Sequence, residues 1–181
     1  QDFKSALVAV NASNTSDPGH KPSKIFSGYI NLQLGNMIQA VKEVETFVEL
    51  DMKKHDEADF MASMLWMGGA SVVAKAGDYD AYIDYCQKMF KRFPVIKSEF
   101  GERVAKSALM LHSNPKQIEK ALSYANITLK GSSKNSLFYD WTCFCVALGK
   151  YRSDDLKAAE SWCNESLAAA KETNNELPGL N

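Results

Sequence analysis

The sequence predicts an all-α protein, an array of antiparallel helix pairs about four repeats long. Three observations carry that expectation. Apolar residues recur in steps of three and four through nearly every segment, the spacing of one helix face. No stretch sustains the period-two alternation of a half-buried strand. The second helix of each pair also recurs: Ala40, Tyr82, Ala121 and Ala159 take equivalent places, 42, 39 and 38 residues apart, the period of a helical solenoid.

Composition agrees with one repeat domain. Of 181 residues, 45% are hydrophobic, enough for a real core, and the formal net charge is −1. Such a balance favours neither nucleic acid nor an anionic membrane as partner. No apolar run approaches the roughly 20 residues that span a bilayer. The chain begins at Gln1 with no signal-peptide pattern, so a processed or excised chain is expected, part of a larger one. A cytoplasmic location is favoured, with an exported form as the alternative.

The elements follow in order. Residues 2–10 form a short amphipathic helix, and the polar, turn-rich 11–23 form a linker. Residues 24–34 make a weaker helix. Met37, Ile38, Val41, Val44 and Val48 mark the next, after the turn at Gly35-Asn36. Residues 63–76 are apolar and rich in small side chains. In 77–94, "GDYDAYIDYCQKMFKRFP", Tyr79, Tyr82, Ile83, Cys86, Met89, Phe90 and Phe93 form one face. Lys88, Lys91 and Arg92 fall in its last turns, where cations suit the helix dipole, and Pro94 ends it. Val104, Ala105, Ala108 and Leu111 mark a helix over 99–111. Ile118, Ala121, Leu122, Ala125 and Leu129 mark another, "SLFYDWTCFCVALGKY" reads as a nearly fully buried one, and Leu156, Ala159, Cys163, Leu167 and Ala170 mark the last. The domain division is therefore 1–23 as helical segment and linker, and 24–181 as repeats over 24–50, 60–94, 99–130 and 137–171.

Residues 66–94, with Trp66 in the first helix, Ala70 at the packing point, "GDYD" at the turn and a closing Pro94, resemble a tetratricopeptide repeat (TPR). The resemblance implies a right-handed superhelical array, a TPR-like α-solenoid. Residues 77–168, through "GD..AY...C…RF", "ER.AK..L" and "YR…A..W…SL", are similar to the C-terminal helical repeat region of planctomycete-type bacterial serine/threonine kinase and propeller-repeat proteins. No kinase motif is in the chain. Departures are Tyr82 in place of a small residue, a third turn through "HSNPKQ", Asp154-Asp155 where glycine is usual, and spacings above the standard repeat.

The family binds peptides or proteins on the concave face formed by the first helices. Carried over, that face takes Ile25, Tyr29 and Gln33; Met64, Met67, Ser71 and Lys75; Arg103, Lys106 and Met110; and Trp141, Phe144, Leu148, Tyr151 and Arg152. Tyr29, Lys75, Arg103, Lys106, Tyr151 and Arg152 are the candidate peptide-binding residues. Aromatics and Arg anchor interfaces, and the cations suit an acidic or C-terminal carboxylate. Core packing is the competing role for Met64, Met67, Phe144 and Leu148. The family's chaperone-binding members use a Lys/Asn/Arg carboxylate clamp; Lys106 takes a clamp-like place, but Met110 stands where Asn is needed.

No catalytic pattern is visible. His20, His55 and His112 are scattered, "HDEAD" lacks the paired histidines of a zinc helix, and no GxSxG, P-loop or GxGxxG occurs. The expectation is a non-enzymatic binding scaffold with no cofactor and no metal, whose partner is a protein or peptide, not nucleic acid or membrane. A self-associating module forming a homo-oligomer is the alternative. Cys86, Cys143, Cys145 and Cys163 each fall on apolar helical patterns and read as buried free thiols. A Cys143–Cys163 or Cys145–Cys163 bond stays open as the alternative.

Overall fold

The computed structural model describes residues 2–53, 60–94, 100–134, 136 and 138–172. His55 lies outside them. The described residues form helices and turns, with no strand among them. The chain divides into two compact units, Gln1–Pro94 and Val95–Asn181.

The first unit holds α1 (Phe3–Ser16), α2 (Lys21–Gln33), α3 (Met37–Lys53), α4 (Phe60–Ala76) and α5 (Tyr79–Arg92). The α1 helix runs further than the sequence suggests, into the stretch read as linker. Within it the Thr15 and Ser16 hydroxyls donate back to the Asn11 and Ala12 carbonyls at 2.9 Å each. Pro22, in the first turn of α2, is preset for a helix start. Pairs α2–α3 and α4–α5 close through the same turn. Gly35 and Gly77 both sit at φ 80°, the left-handed region that glycine enters without a Cβ penalty. Asp78 then caps α5 by accepting from the Ala81 N–H at 3.0 Å.

The core of this unit surrounds Trp66, which is fully buried. Its ring meets Phe47 and Phe93 edge-on at 5.6 and 6.1 Å and Tyr85 at 5.1 Å. The Tyr85 hydroxyl donates to the Trp66 carbonyl at 2.7 Å. This contact requires a glycine opposite, because a Cβ on Gly69 would lie 2.4 Å from the Tyr85 oxygen. Asp51, buried on α3, accepts from Lys21 Nζ at 2.7 Å, Trp66 Nε1 at 2.8 Å and Arg92 Nε at 2.7 Å. One carboxylate thus ties together α2, α3, α4 and α5. Burial pushes its pKa up, but the bonds from Lys21, Trp66 and Arg92 together outweigh that and hold it below the ordinary value.

The second unit holds α6 (Gly101–Leu109), α7 (Pro115–Gly131), α8 (Tyr139–Arg152) and α9 (Leu156–Glu172). The α6 helix stops before the expected Leu111. Side chains take over its last carbonyls: Gln117 Nε2 and Ser113 Oγ donate to the Ala108 carbonyl, and Arg152 donates to those of Leu109 and Met110. Asn114 caps α7 through the Gln117 N–H at 3.0 Å, ahead of Pro115. In the α8–α9 turn Asp154 takes the left-handed place of Gly35 and Gly77, at φ 60°. Asp155 follows as the cap, accepting from the Ala158 N–H at 3.3 Å.

All four cysteines are free, and Cys86, Cys143 and Cys145 are buried. Cys163 is exposed, against the expectation of burial. On α9 the buried residues are Ala159, Ser166, Ala169 and Ala170, with Trp162 half-buried, so the stripe is rotated from the one through Cys163 and Leu167. The reason is local packing: Ser166 donates to the Asp140 carbonyl of α8 at 2.8 Å, which points the adjoining face inward.

Candidate functional site: the inner helix faces and a groove

In the first unit, the packed inner helices α2 and α4 bring Tyr29 and Lys75 onto neighbouring elements. Tyr29 is 47% exposed and Lys75 is exposed. Met64 and Ser71 are also exposed, Gln33 and Met67 half-buried, and Ile25 buried. The structure adds three residues that the sequence reading did not name: Phe26, Phe60 and Met61, at 61%, 48% and 58% exposure. Neither helix contains an acidic residue. Their charges are Lys21, Lys24 and Lys75, whereas α3 carries Glu43, Glu45, Glu49 and Asp51 and α5 carries Asp80 and Asp84. Lys21 is paired with Asp51 and Lys24 is buried, so Lys75 is the exposed cation of these two helices, and the acids lie on α3 and α5.

The second unit handles its cations differently. Arg103 is buried, paired to Glu102 at 3.4 Å and set over the Phe138 ring at 5.3 Å. Lys106 reaches the same carboxylate at 3.3 Å and lies 4.6 Å from the centre of the Trp141 ring. Tyr151 is exposed, with the Arg152 guanidinium 5.8 Å from its ring. Arg152 Nε and Nη2 bond the Leu109 and Met110 carbonyls at 3.4 and 3.0 Å. Trp141, Leu148 and Met110 are half-buried, and Phe144 is exposed. The structure joins Arg103 with Lys106 through Glu102, and Tyr151 with Arg152 by stacking.

Beside Arg152 lies a groove of about 640 Å³ between α7 and the α8–α9 turn, floored by Ile118 and Leu122 and walled by Glu119, Ser123, Asn126, Ser153 and Asp154. The first unit has the equivalent groove, about 400 Å³, between α3 and the α4–α5 turn, walled by Met37, Ile38, Val41, Lys42, Glu45 and Asp78. The repeat register makes them the same place: Met37, Ile38 and Val41 precede or follow Ala40 as Ile118, Glu119 and Leu122 do Ala121. The sequence reading missed both grooves, because each joins a second helix to the turn of the next pair. The one signal available was that register.

Chemically active groups are few. Burial pushes the Cys143 thiol up to about 11 and the Cys145 thiol higher still, so both stay protonated near neutrality. Among the described residues no group of three or more His, Cys, Asp or Glu could hold a metal ion, and no helix is long and apolar enough to cross a membrane.

Stacked helix pairs with left-handed turns and inner and outer helices define the fold class, a TPR-like helical solenoid. The chain is similar to the crystal structure of MamA, with a TM-score of 0.58 and 14% identity over 97% of this chain and 92% of that one. A second MamA crystal structure matches with a TM-score of 0.56 and 14% identity, over 99% and 89% of the two chains. At this identity the likeness speaks for the fold. No family model matches the chain, and no curated protein matches it.

Proposed function

We propose that the protein is a non-enzymatic scaffold that binds a protein or peptide on its inner helix faces, through Tyr29, Lys75, Arg103, Lys106, Tyr151 and Arg152. The observation that carries this reading is the inner side of the first unit. Phe26, Tyr29, Phe60, Met61 and Met64 are large, apolar and exposed there, and Lys75 stands beyond them with no acid on either helix. Contiguous exposed apolar surface marks interaction sites, and methionine adapts to varied partners. A partner segment with apolar anchors and a carboxylate matches this face. In the second unit the exposed Tyr151 and the half-buried Lys106–Trp141 pair offer the contacts, and Arg103, itself buried, acts by holding Glu102 and Phe138 in place. The finer likeness of residues 77–168 to planctomycete-type repeat regions belongs to the same reading, a binding region and not a kinase.

The test compares capture of partners from source-cell lysate by the wild type, by Tyr29→Ala/Lys75→Glu, and by Tyr151→Ala, each with unchanged circular dichroism. A partner held by the wild type and reduced at least about tenfold by the double variant supports the first unit's face, since hot-spot truncations cost about 2 kcal/mol or more. Equal capture by all three moves binding elsewhere. No partner, with a mass in light scattering that rises with concentration, replaces the scaffold by the homo-oligomer reading, in which exposed apolar residues of the first helices, such as Phe26 and Met61, and the repeat ends make the contact.

A further inference from the structure

The groove between α7 and the α8–α9 turn shares Arg152 with the second unit's inner-face set, but its other walls come from α7 and the turn, and it has a chemistry of its own. Its volume, about 640 Å³, falls within the roughly 300–1,000 Å³ range of small-ligand sites. Its floor is apolar, from Ile118 and Leu122. Opposite charges converge on its walls. Arg152 is held rigidly by the Leu109 and Met110 carbonyls, which use Nε and one Nη2 hydrogen of its five N–H donors. Glu119 and Asp154 line the same space, and among the described residues neither side chain has a partner. Asp154 is held in place by a left-handed backbone.

A purely anionic ligand meets two carboxylates here, and a purely cationic one meets a fixed guanidinium. A molecule carrying both charges around an apolar body satisfies both. We propose that this groove binds a small zwitterion of the di- or tripeptide class. Its carboxylate pairs with the remaining Arg152 donors, its ammonium with Glu119 and Asp154, and an apolar side chain lies on Ile118 and Leu122. Charge-assisted bonds to a guanidinium fork are the strong, geometrically selective kind. The equivalent groove of the first unit also carries both charges, Lys42 with Glu45 and Asp78 beside Met37, Ile38 and Val41, but it is smaller, about 400 Å³, and Lys75, in the register of Arg152, is not among its walls.

The experiment is a ¹H–¹⁵N NMR titration of the whole chain with L-leucyl-L-leucine, then with its N-acetyl and C-amide forms. Saturable shifts are expected at the amides of Ser113, Glu119, Ser123, Ser153 and Asp154. Removing either terminal charge should weaken binding about tenfold, the loss of one charge-assisted pair. Glu119→Gln, an exposed site without structural risk, should weaken binding of the free dipeptide about threefold, and Arg152→Lys more. Tyr29→Ala/Lys75→Glu should leave it unchanged, which separates this site from the inner face. Absence of saturation up to about 10 mM, equal binding of all three peptides, or shifts confined to other helices overturns the proposal.

Discussion

Lys75 and Arg152 hold the same place in two repeats, seven residues before Tyr82 and Ala159, yet they do opposite things. Lys75 is exposed on the inner side of the first unit. Arg152 turns back onto the carbonyls that end α6. Arg103 and Lys106 behave like Arg152, meeting Glu102 and aromatic rings within their own unit. The lesson is that repeat register sets where a side chain starts, and local acceptors decide what it faces. The first unit pairs Lys21 and Arg92 at Asp51 and leaves Tyr29 and Lys75 exposed. The second unit uses its inner-face cations on its own groups, Arg152 on the end of α6 and Arg103 and Lys106 on Glu102 and aromatic rings, and its open polar groups gather in a groove instead.

The sharpest way to break this contrast is to remove the anchor of the first unit. Asp51→Ala deletes the acceptor shared by Lys21, Trp66 and Arg92. Breaking a buried ion pair from one side typically costs about 3–5 kcal/mol, so the first unit should lose hydrogen-exchange protection over α2–α5. Retained protection would show that the aromatic cluster alone organises these helices. The same carboxylate predicts a pH dependence. Its folded pKa is lowered, so its contribution is present above the unfolded value, about 3.9, and is lost as pH falls through the lower folded value. Protection factors in α2–α5, taken relative to the intrinsic exchange rate at each pH, should therefore fall below about pH 4, and Asp51→Asn should remove that step.

How much of this could be read in advance differs by kind of contact. Helices and turns are local, and they were legible: the aligned positions Ala40, Tyr82 and Ala121 are all 0% exposed, and Ala159 is 6%. The Gly-Asn and Gly-Asp turns announced their geometry through glycine. The Asp51 network left a weaker trace. Asp51 continues the buried stripe of Ala40, Val44 and Phe47 in helical steps, and a charge on such a stripe demands a partner. Which partners those were depended on α2, α4 and α5 meeting in space, which no spacing reveals. The candidate site was legible only as a set of faces. In sequence, Arg103 and Lys75 look alike, since a cation's acceptor is invisible until the chain is folded. Cys163 failed for a related reason: α9 offers two apolar stripes, and the bond from Ser166 to α8 selects the other.

Two glycines test the same contrast with smaller effects. A Cβ on Gly69 would meet the Tyr85 hydroxyl at 2.4 Å, and that hydroxyl is pinned to the Trp66 carbonyl. A Cβ on Gly149 would meet Leu122 Cδ2 at 2.5 Å, but Leu122 is half-buried and borders the open groove. Alanine gains about 1 kcal/mol of helix propensity at either position. Overpacking outweighs this at Gly69, for a net loss of about 2 kcal/mol, whereas at Gly149 the leucine swings into the groove and the two effects nearly cancel. Urea midpoints measured separately for each unit by hydrogen exchange would check the pair; equal losses would mean that the groove wall is as rigid as the core.

The smallest expected effect concerns Asp154, the non-glycine residue with positive φ among the described residues. A left-handed backbone costs an ordinary residue about 1–2 kcal/mol, and less for aspartate, whose short side chain tolerates it. Glycine removes that strain but widens the unfolded ensemble, which returns part of the gain. Asp154→Gly should therefore stabilise the second unit by no more than about 0.5 kcal/mol, matching its turn to those at Gly35 and Gly77. Its effect on the groove should be larger than its effect on the fold. The substitution removes one of the two carboxylates that line the groove with Arg152 and should weaken dipeptide binding while thermal unfolding barely moves. A rise of several kcal/mol in stability would instead mean that the turn is strained beyond what an aspartate normally tolerates, and that holding Asp154 against the groove is what the second unit maintains at the expense of a better turn.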